Sequence, residues 1–341
     1  MTEVHIIGVD LAKRVFQVHG ADRNGHVLFR KKLSRPQFAK FLAELPICTV
    51  AMEACSTSHH WGREAQRIGH TARLIPPGYV KPFVKRHKND AVDAEAIVEA
   101  ALRPSMSFVA VKSEEQQAQA VIFRSRDLYL RQRTQLINAL RGHLAEYGVL
   151  LPASRASVAR MVAACKDQAD TLPAPVFEMA QRIANDIEAL TDRVSEIDKA
   201  LKKMALASPE ARRLKTMPGV GPITAVAIKA FCPDPNSFDH GRGFAAWLGL
   251  VPRQISTGGK DRFGRVTKMG QRDVRRLLVT GAMSVISAAA RKGRCDDPWL
   301  ANMLRTKPRM VAAVALANRM ARQLWAMMVK EQDYEIRGAA A

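Results

Sequence analysis

Between residues 4 and 54 the chain carries four apolar, strand-like runs joined by two kinds of link, and those links restrict its topology more than any other feature. VHIIGV (4–9), VFQVHG (15–20) and HVLFRKK (26–32) follow one another closely, with DRNG (22–25) as a turn signal. Short links between strands imply an antiparallel meander. PQFAKFLAEL (36–45), a helical pattern with proline in its first turn, then leads to the buried run CTVAMEA (48–54), and a helical stretch over 57–68 leads to ARLIPP (72–77). Strands linked through helices imply parallel crossovers, so the expected architecture is a mixed α/β sheet. Such sheets present functional groups at the C-terminal ends of their central strands. Asp10 and Glu53 end two of these strands. Taken singly, Asp10 also reads as a strand-ending turn residue and Glu53 as an acid preceding a helix.

The next stretch, KNDAVDAEAIVEA (88–100), holds Asp90 and Asp93 at the start of an alanine-rich helical pattern. Their spacing puts both carboxylates on one helix face, about one turn apart. Two readings stand at this point. Aspartate is a favoured cap and first-turn residue that complements the helix dipole. Paired carboxylates beside the basic run YVKPFVKRHK, with Lys81, Lys85, Arg86 and Lys88, also suit a divalent metal next to a phosphate backbone.

Charge narrows the class of partner. Fifty-three Lys and Arg against 32 Asp and Glu give a formal net charge of +21. A field of that sign attracts polyanions, nucleic acid first, because basic side chains gain affinity by releasing its counterions. No lipidation motif, basic amphipathic anchor or apolar run of bilayer-spanning length is present, so no membrane partner is expected. The opening MTEVHIIGVD lacks the charged and apolar regions of a secretory signal. Cys48, Cys55, Cys165, Cys232 and Cys295 are odd in number and scattered, which fits reduced thiols and excludes the usual zinc spacings. The expected setting is the cytoplasm.

From about residue 113 to 150 the pattern is helical and polar. A break at LPAS (151–154) follows, and then Met179, Ile183, Ile187, Leu190, Val194, Ile197, Leu201 and Met204 recur at spacings of three and four. That seam is the mark of a coiled coil or a long antiparallel helix pair. Beyond Ser208, LKTMPGVGPITAVAIKAF (214–231) has a helix–turn–helix pattern with Gly219 and Gly221 around the turn. Such a turn either offers backbone N–H groups to a phosphate or is an ordinary helical hairpin. FAAWLGLVPRQ (244–254) leads into ISTGG (255–259), read as a flexible loop. Lys260, Arg262, Arg265, Lys268, Arg272, Arg275 and Arg276 then crowd a short stretch whose counter-charges are Asp261 and Asp273. Two apolar helices, about 272–291 and 308–330, close the chain, with Trp325 expected in the core.

Together these segments resemble the DEDD-type insertion-sequence transposases, the insertion-sequence one-ten family with its eleven-eleven subgroup, some of which are bridge-RNA-guided recombinases. The likeness covers essentially the whole chain. It rests on IGVDLAK around Asp10, MEAC around Glu53, KNDAVDAEAI around Asp90 and Asp93, PGVGPITA, and WLGLVPRQISTGGKDRFGRVTKMGQRDVRRLL. It implies a RuvC-like, RNase H-type α/β domain (1–110), a helical coiled-coil connector (111–207) and a mainly α-helical transposase domain (208–341). It implies further that Asp10, Glu53, Asp90 and Asp93 are the metal-binding set and that Ser256 is a nucleophile. DNA, both element ends and target, is the implied substrate, and a structured RNA from the element's non-coding end the implied guide. A homo-oligomer, dimer or tetramer, is expected.

The chemistry of these residue types fits. Clustered carboxylates suit Mg2+, a hard ion that prefers oxygen ligands and neutralises charge on a scissile phosphate. A serine nucleophile stores the phosphodiester bond as a phosphoserine ester, so a strand can be cut, moved and rejoined. Lys260, Arg262 and Arg265 are candidates to clamp the developing charge; Lys268 and Arg272 extend the basic surface. The competing expectation is a RuvC-like metal nuclease that hydrolyses branched DNA and in which Ser256 is an ordinary loop residue.

Overall fold

The computed structural model describes residues 3–84, 90–151, 162–165, 167–168 and 171–335, with the backbone alone at 90 and 91. Lys85, Arg86 and Lys88, and most of the LPAS break, lie outside the described residues. The chain divides into two compact units, Met1–Glu114 and Glu115–Ala341.

The first unit is a five-stranded sheet in the order β3-β2-β1-β4-β5. β1 (Ile6–Asp10), β2 (Val15–Ala21) and β3 (Val27–Ser34) pair antiparallel, as the short links require. The Asp22 carboxylate organises the β2–β3 turn by accepting from the backbone N–H of Asn24 at 2.8 Å and of His26 at 2.9 Å. Two helices, α1 (Arg35–Glu44) and α2 (Ser58–Ile68), carry the chain to β4 (Thr49–Glu53) and β5 (Thr71–Ile75). Both of those strands run parallel to β1. The meander followed by parallel crossovers is therefore the observed topology.

Strand alternation divides the buried residues between two faces. Ile7, Val9, Phe16, Val18, Val50, Met52 and Leu74 meet α1 and α2 on one side. There Phe16, Phe38 and Trp61 pack edge-to-face with ring centroids 5.0–5.3 Å apart. Each such pair adds about 0.5–1.5 kcal/mol beyond its buried area. Ile6, Ala51 and Ile75 face the other way, toward α4 (Asp90–Ala101). Between β5 and α4 lie a short helix, α3 (Pro77–Val80), and a 3-10 turn, Lys81–Phe83, on which Lys81 is exposed.

Gly8 of β1 sets how closely α4 can lie on the sheet. A Cβ there would stand 2.3 Å from the Ala94 carbonyl oxygen and 2.7 Å from Val98 Cγ2. The alanines of α4 serve the same end: Ala94, Ala96, Ala100 and Ala101 are all buried. Arg30 of β3 pairs with Glu95 at 2.8 Å, and Arg73 of β5 donates to the Ala101 carbonyl at 3.3 Å. The helix is thus fastened to the sheet along its length.

The second unit is mainly helical. α5 (Glu114–Ala145) and α6 (Ala174–Ala207) form a long antiparallel pair. Arg126 pairs with Asp198, Arg193 lies over the Tyr129 ring at 5.8 Å, and Arg133 donates to Thr191 at 3.4 Å. Of the apolar seam, Ile187, Leu190, Val194 and Leu201 are buried, whereas Met179 is 52 % exposed. Further helices are α7 (Pro209–Leu214), α8 (Pro222–Phe231), α9 (Gly241–Trp247), α10 (Arg272–Lys292), α11 (Pro298–Thr306) and α12 (Arg309–Lys330). α8 lies at the centre of their shared core, with Thr224 to Ile228, Ala230 and Phe231 buried. Trp325 is partly buried against this core and donates its indole N–H to the Pro235 carbonyl at 2.9 Å.

Replacing Gly8 by alanine forces α4 off the sheet, and overpacking of this kind costs about 1–3 kcal/mol. Thermal unfolding is expected to show a lowered midpoint for Gly8→Ala. The control Gly78→Ala, at a position with open space around it, should leave the midpoint unchanged. Equal midpoints for both variants would show that α4 can ride away from the sheet at no cost.

Candidate active site and nucleic-acid surface

Asp10 continues the alternation Ile6, Gly8, Asp10, and Glu53 continues Ala51, Glu53, so both acids fall on the face that α4 covers. β1 and β4 are neighbours whose last paired residues are Val9 and Met52. That register brings the next residues, Asp10 and Glu53, side by side at the strand ends. Asp93 immediately precedes Ala94, the residue whose carbonyl rests over Gly8.

Electrostatics register the convergence. Burial raises the Glu53 carboxyl above its ordinary range, and the charge of Asp93 raises it further. The Cys55 thiol is pushed up by burial, then by Glu53 and Asp10. Three acids therefore share one partly buried neighbourhood. A like charge of this kind disfavours the ionised form of Glu53. The fourth, Asp90, is the first residue of α4, and its side chain lies outside the described residues. Among the described residues no three Asp, Glu, His or Cys side chains are gathered closely enough to hold a metal ion. The donor chemistry nonetheless suits a hard divalent cation, since every candidate ligand is a carboxylate, and such an ion would relieve the repulsion that Glu53 feels.

Ser256 sits in a different setting. Residues 255–259, expected to be a flexible loop, lie in the connection of a two-stranded ribbon, β6 (Pro252–Gln254) with β7 (Phe263–Val266). Thr257 and Lys260 form an antiparallel bridge that closes the turn, with Gly258 at φ +58 and Gly259 at φ +75. Positive φ at both central residues is the type I′ geometry, which matches the twist of a hairpin and strongly prefers glycine. The turn fixes the register outward from itself. Ile255 N–H donates to the Arg262 carbonyl at 2.8 Å, and Ser256 faces Asp261.

The side chains follow that register. Ser256 Oγ donates to Asp261 Oδ1 at 2.7 Å. Gln254 Nε2 donates to Ser256 Oγ at 3.2 Å and to Asp261 Oδ1 at 3.1 Å. The bonds from Ser256, then from Gln254, hold the Asp261 carboxyl below its ordinary range. All three residues are exposed.

The ribbon is rooted firmly in the helical core. Gln271 N–H donates to the Trp247 carbonyl, Lys268 N–H to Gly249, and Thr267 N–H to Val251, at 2.9–3.2 Å. Gly249 and Gly270 allow these segments to cross: a Cβ on either would lie 2.0 Å from a backbone oxygen. Arg275 is engaged at this root, donating to the Leu248 carbonyl at 2.8 Å, and Arg276 pairs with Asp127. Lys260, Arg262, Arg265, Lys268 and Arg272 are all exposed. Phe263, 69 % exposed, and Ile255 stand among them. This mixture of apolar and cationic side chains suits a nucleic-acid strand, and reading the chain as a loop hides it. The Gly258–Gly259 pair is the signal in the sequence that points to a hairpin.

Gly219 and Gly221 flank the turn between α7 and α8. Gly219, at φ +86, has a packing reason to be glycine: its Cβ would lie 2.8 Å from the Gly281 carbonyl of α10. Gly221 precedes α8, has open space around it, and leaves that helix without a side-chain cap.

An acid-bearing α/β unit and a helical unit with a basic ribbon fit what the sequence resemblance implies, a transposase, an enzyme that acts on DNA. Comparison with known proteins bears this out. A family model described as "Transposase", built on the DEDD proteins of IS110 elements, matches residues 7–149. Another, described as "Transposase IS116/IS110/IS902 family", matches residues 211–295. The chain is 45% identical to the "Probable family 20 transposase" of Pseudomonas aeruginosa, covering 96% of this chain and 98% of that one. It is 38% identical to the "Transposase for insertion sequence element IS1328" of Yersinia enterocolitica, over 95% and 97% of the two chains. With the "Transposase for insertion sequence element IS1111A" of Coxiella burnetii the figures are 34%, 98% and 92%. The chain belongs to the IS116/IS110/IS902 family of insertion-sequence transposases. Among the described residues no helix is long and apolar enough to cross a membrane.

A left-handed conformation costs a non-glycine residue about 1–2 kcal/mol. Replacing Gly258 and Gly259 together by alanine should therefore open the ribbon. Hydrogen exchange at the Ile255 amide is expected to accelerate at least about tenfold, the equivalent of about 1.4 kcal/mol. Unchanged protection would mean that the turn does not set the register.

Proposed function

We propose that this transposase cuts and rejoins DNA through a covalent phosphoserine intermediate at Ser256, with Mg2+ held by Asp10, Glu53, Asp90 and Asp93. The observation that carries the serine reading is its placement: an exposed hydroxyl on a rooted ribbon, flanked by Lys260, Arg262 and Arg265. A hydroxyl so placed can meet a phosphodiester without any of the helical core having to open. The bound ion would supply charge neutralisation at the scissile phosphate.

The residues of this chain divide the work. Ser256 Oγ forms the bond to phosphorus, and the exposed cations bind the backbone and offset the charge that develops on the phosphate oxygens. Storing the bond as an ester keeps its energy, so rejoining needs no nucleotide cofactor. Lys81, exposed on its turn, is a further candidate for the DNA backbone, and Lys85, Arg86 and Lys88 precede Asp90 and Asp93 in the sequence. Gly221, with its open approach to the uncapped start of α8, suits a further phosphate interaction.

The finer organisation belongs to the same proposal. The strand order β3-β2-β1-β4-β5 supports a RuvC-like, RNase H-type domain over 1–110. The α5–α6 pair supports a coiled-coil connector over 111–207, ahead of a transposase domain over 208–341. The resemblance to bridge-RNA-guided members, with the charge of +21, supports a structured guide RNA, a dimer or tetramer, and work on the nucleoid.

The test combines full-length protein, Mg2+, labelled element-end DNA and a transcript of the element's non-coding end. A denaturant-resistant protein–DNA band is expected from wild type, and not from Ser256→Ala, Asp93→Ala or a chelator-treated sample. Cleaved DNA without an adduct, unaffected by Ser256→Ala, would identify a hydrolytic nuclease instead.

Mutation of the ribbon's cations tests the binding surface separately. Each phosphate that a basic side chain neutralises adds about 0.7–0.9 to the steepness of log affinity against log salt. Replacing Lys260, Arg262 and Arg265 together by glutamine should make that slope shallower by about two to three. An unchanged slope would remove the ribbon from the interface.

A further inference from the structure

We propose that Asp261 is the residue that aligns Ser256 for attack and receives its proton, with Gln254 holding the pair in register. This rests on the reading of Ser256 as the nucleophile and adds two residues that the resemblance does not assign.

Three hydrogen bonds carry it. The Ser256 hydroxyl hydrogen is directed at Asp261 Oδ1 over 2.7 Å, so the route for its proton is already formed. Gln254 Nε2 occupies one Oγ lone pair at 3.2 Å and steadies the same carboxylate oxygen at 3.1 Å. With the hydrogen and one lone pair directed, the remaining lone pair of Oγ has a defined direction for attack. The arrangement is imposed by the turn: the paired glycines put residue 261 across from 256, and residue 254 two positions back on the same face.

Stability gives no competing reason for these bonds. Exposed polar pairs contribute little to folding, and this trio is exposed on a ribbon whose root is held by other contacts. Asp261 is also the one acid within an otherwise cationic stretch from Arg253 to Lys268. For phosphate binding alone an anion there is unfavourable. As a partner for the hydroxyl it has a use. Because its bonds hold the carboxyl below its ordinary range, Asp261 stays ionised through neutral and mildly acidic solution.

The step balances. As the Oγ–P bond forms, the bond from phosphorus to the departing deoxyribose oxygen breaks and its electron pair leaves with that oxygen. The serine proton passes to Asp261, and the departing oxygen takes a proton from water. In rejoining, a deoxyribose hydroxyl attacks phosphorus and loses its proton to water. The P–Oγ bond breaks, and Asp261 returns its proton to Oγ. General-base assistance contributes about 10²–10⁴-fold, and a carboxylate of lowered basicity belongs at the low end.

The experiment is single-turnover formation of the denaturant-resistant adduct, from about pH 6 to 9, with the full-length protein, Mg2+, element-end DNA and transcript described above. Wild type should vary little between about pH 6 and 8. Asp261→Asn should be slowed about 100-fold near pH 6.5, with a rate that climbs about tenfold per pH unit as hydroxide replaces the lost acceptor. Its DNA affinity should be no lower than that of wild type, since an anion has been removed from a cationic surface, and its unfolding midpoint should match wild type. If Ser256→Ala abolishes the adduct while Asp261→Asn keeps the wild-type rate and pH profile, the role of Asp261 is overturned and the serine reading stands. A loss of rate matched by an equal loss of DNA affinity or stability also overturns it, as a merely structural effect. If wild type forms no adduct, or Ser256→Ala still does, the serine reading fails and this inference with it.

Discussion

The contact between Gly8 and the Ala94 carbonyl governs the acid-bearing unit. A sheet and a helix ordinarily keep side chains between them, which would lift α4 and its carboxylates away from the strand ends. Removing the Cβ at Gly8, and keeping the buried face of α4 largely to alanine, lets the helix backbone rest on β1. Once it does so, Asp93 has little choice but to approach Glu53. The raised Glu53 carboxyl is the electrostatic consequence. Close packing thus sets up an unfavourable arrangement of like charge, which ordinary folding would avoid and a cation would relieve. Arg30 and Arg73 reinforce the same approach from the two edge strands of the sheet.

The serine-bearing ribbon depends on glycine for another reason. At Gly8 the missing side chain creates room; at Gly258 and Gly259 the requirement is backbone conformation. Two consecutive positive φ angles give a turn in which residue 256 must face 261. A longer or looser connection would leave the hydroxyl with no fixed neighbour. Gly249 and Gly270 do for the ribbon's root what Gly8 does for α4, allowing backbone to cross backbone.

Much of the fold is legible in the sequence because it follows from local patterns. The runs around Ile7, Val18 and Val50 alternate or are wholly apolar, and the lengths of the links between them settle parallel against antiparallel. The seam from Ile183 to Leu201 announces a long helix needing a partner, and α5 supplies it. What the sequence conceals depends on contacts between distant residues or on exact register. Gly219 reads either as a phosphate-loop glycine or as part of an ordinary helical turn, and nothing near it in the chain reveals Gly281 lying against it. Asp261 reads as a counter-charge in a basic run. Its bond to Ser256 becomes visible only when Gly258–Gly259 is taken as a two-residue turn and the strands are counted outward. The acids are easier, because strand ends and helix starts are positions that periodicity locates directly.

The two sets of functional groups also differ in what solvent does to them. Asp10, Glu53 and Asp93 are partly withdrawn from water, and Glu53 feels the charge of Asp93 there, so a cation bound beside them would act on that pair directly. Ser256 and Asp261 are exposed, and water screens them from all but immediate neighbours. The nucleophile proposed at Ser256 can, in that setting, gain little from a distant field and must be prepared by what touches it. The hydrogen bonds from Ser256 to Asp261 and from Gln254 are contacts of that kind, and they are in place before any substrate arrives. DNA binding would exclude water from the ribbon and strengthen them further, because a charge-assisted hydrogen bond gains as the local dielectric falls. Preparation by contact in the open and preparation by mutual field under cover are thus different solutions, each matched to the burial of the groups that use it.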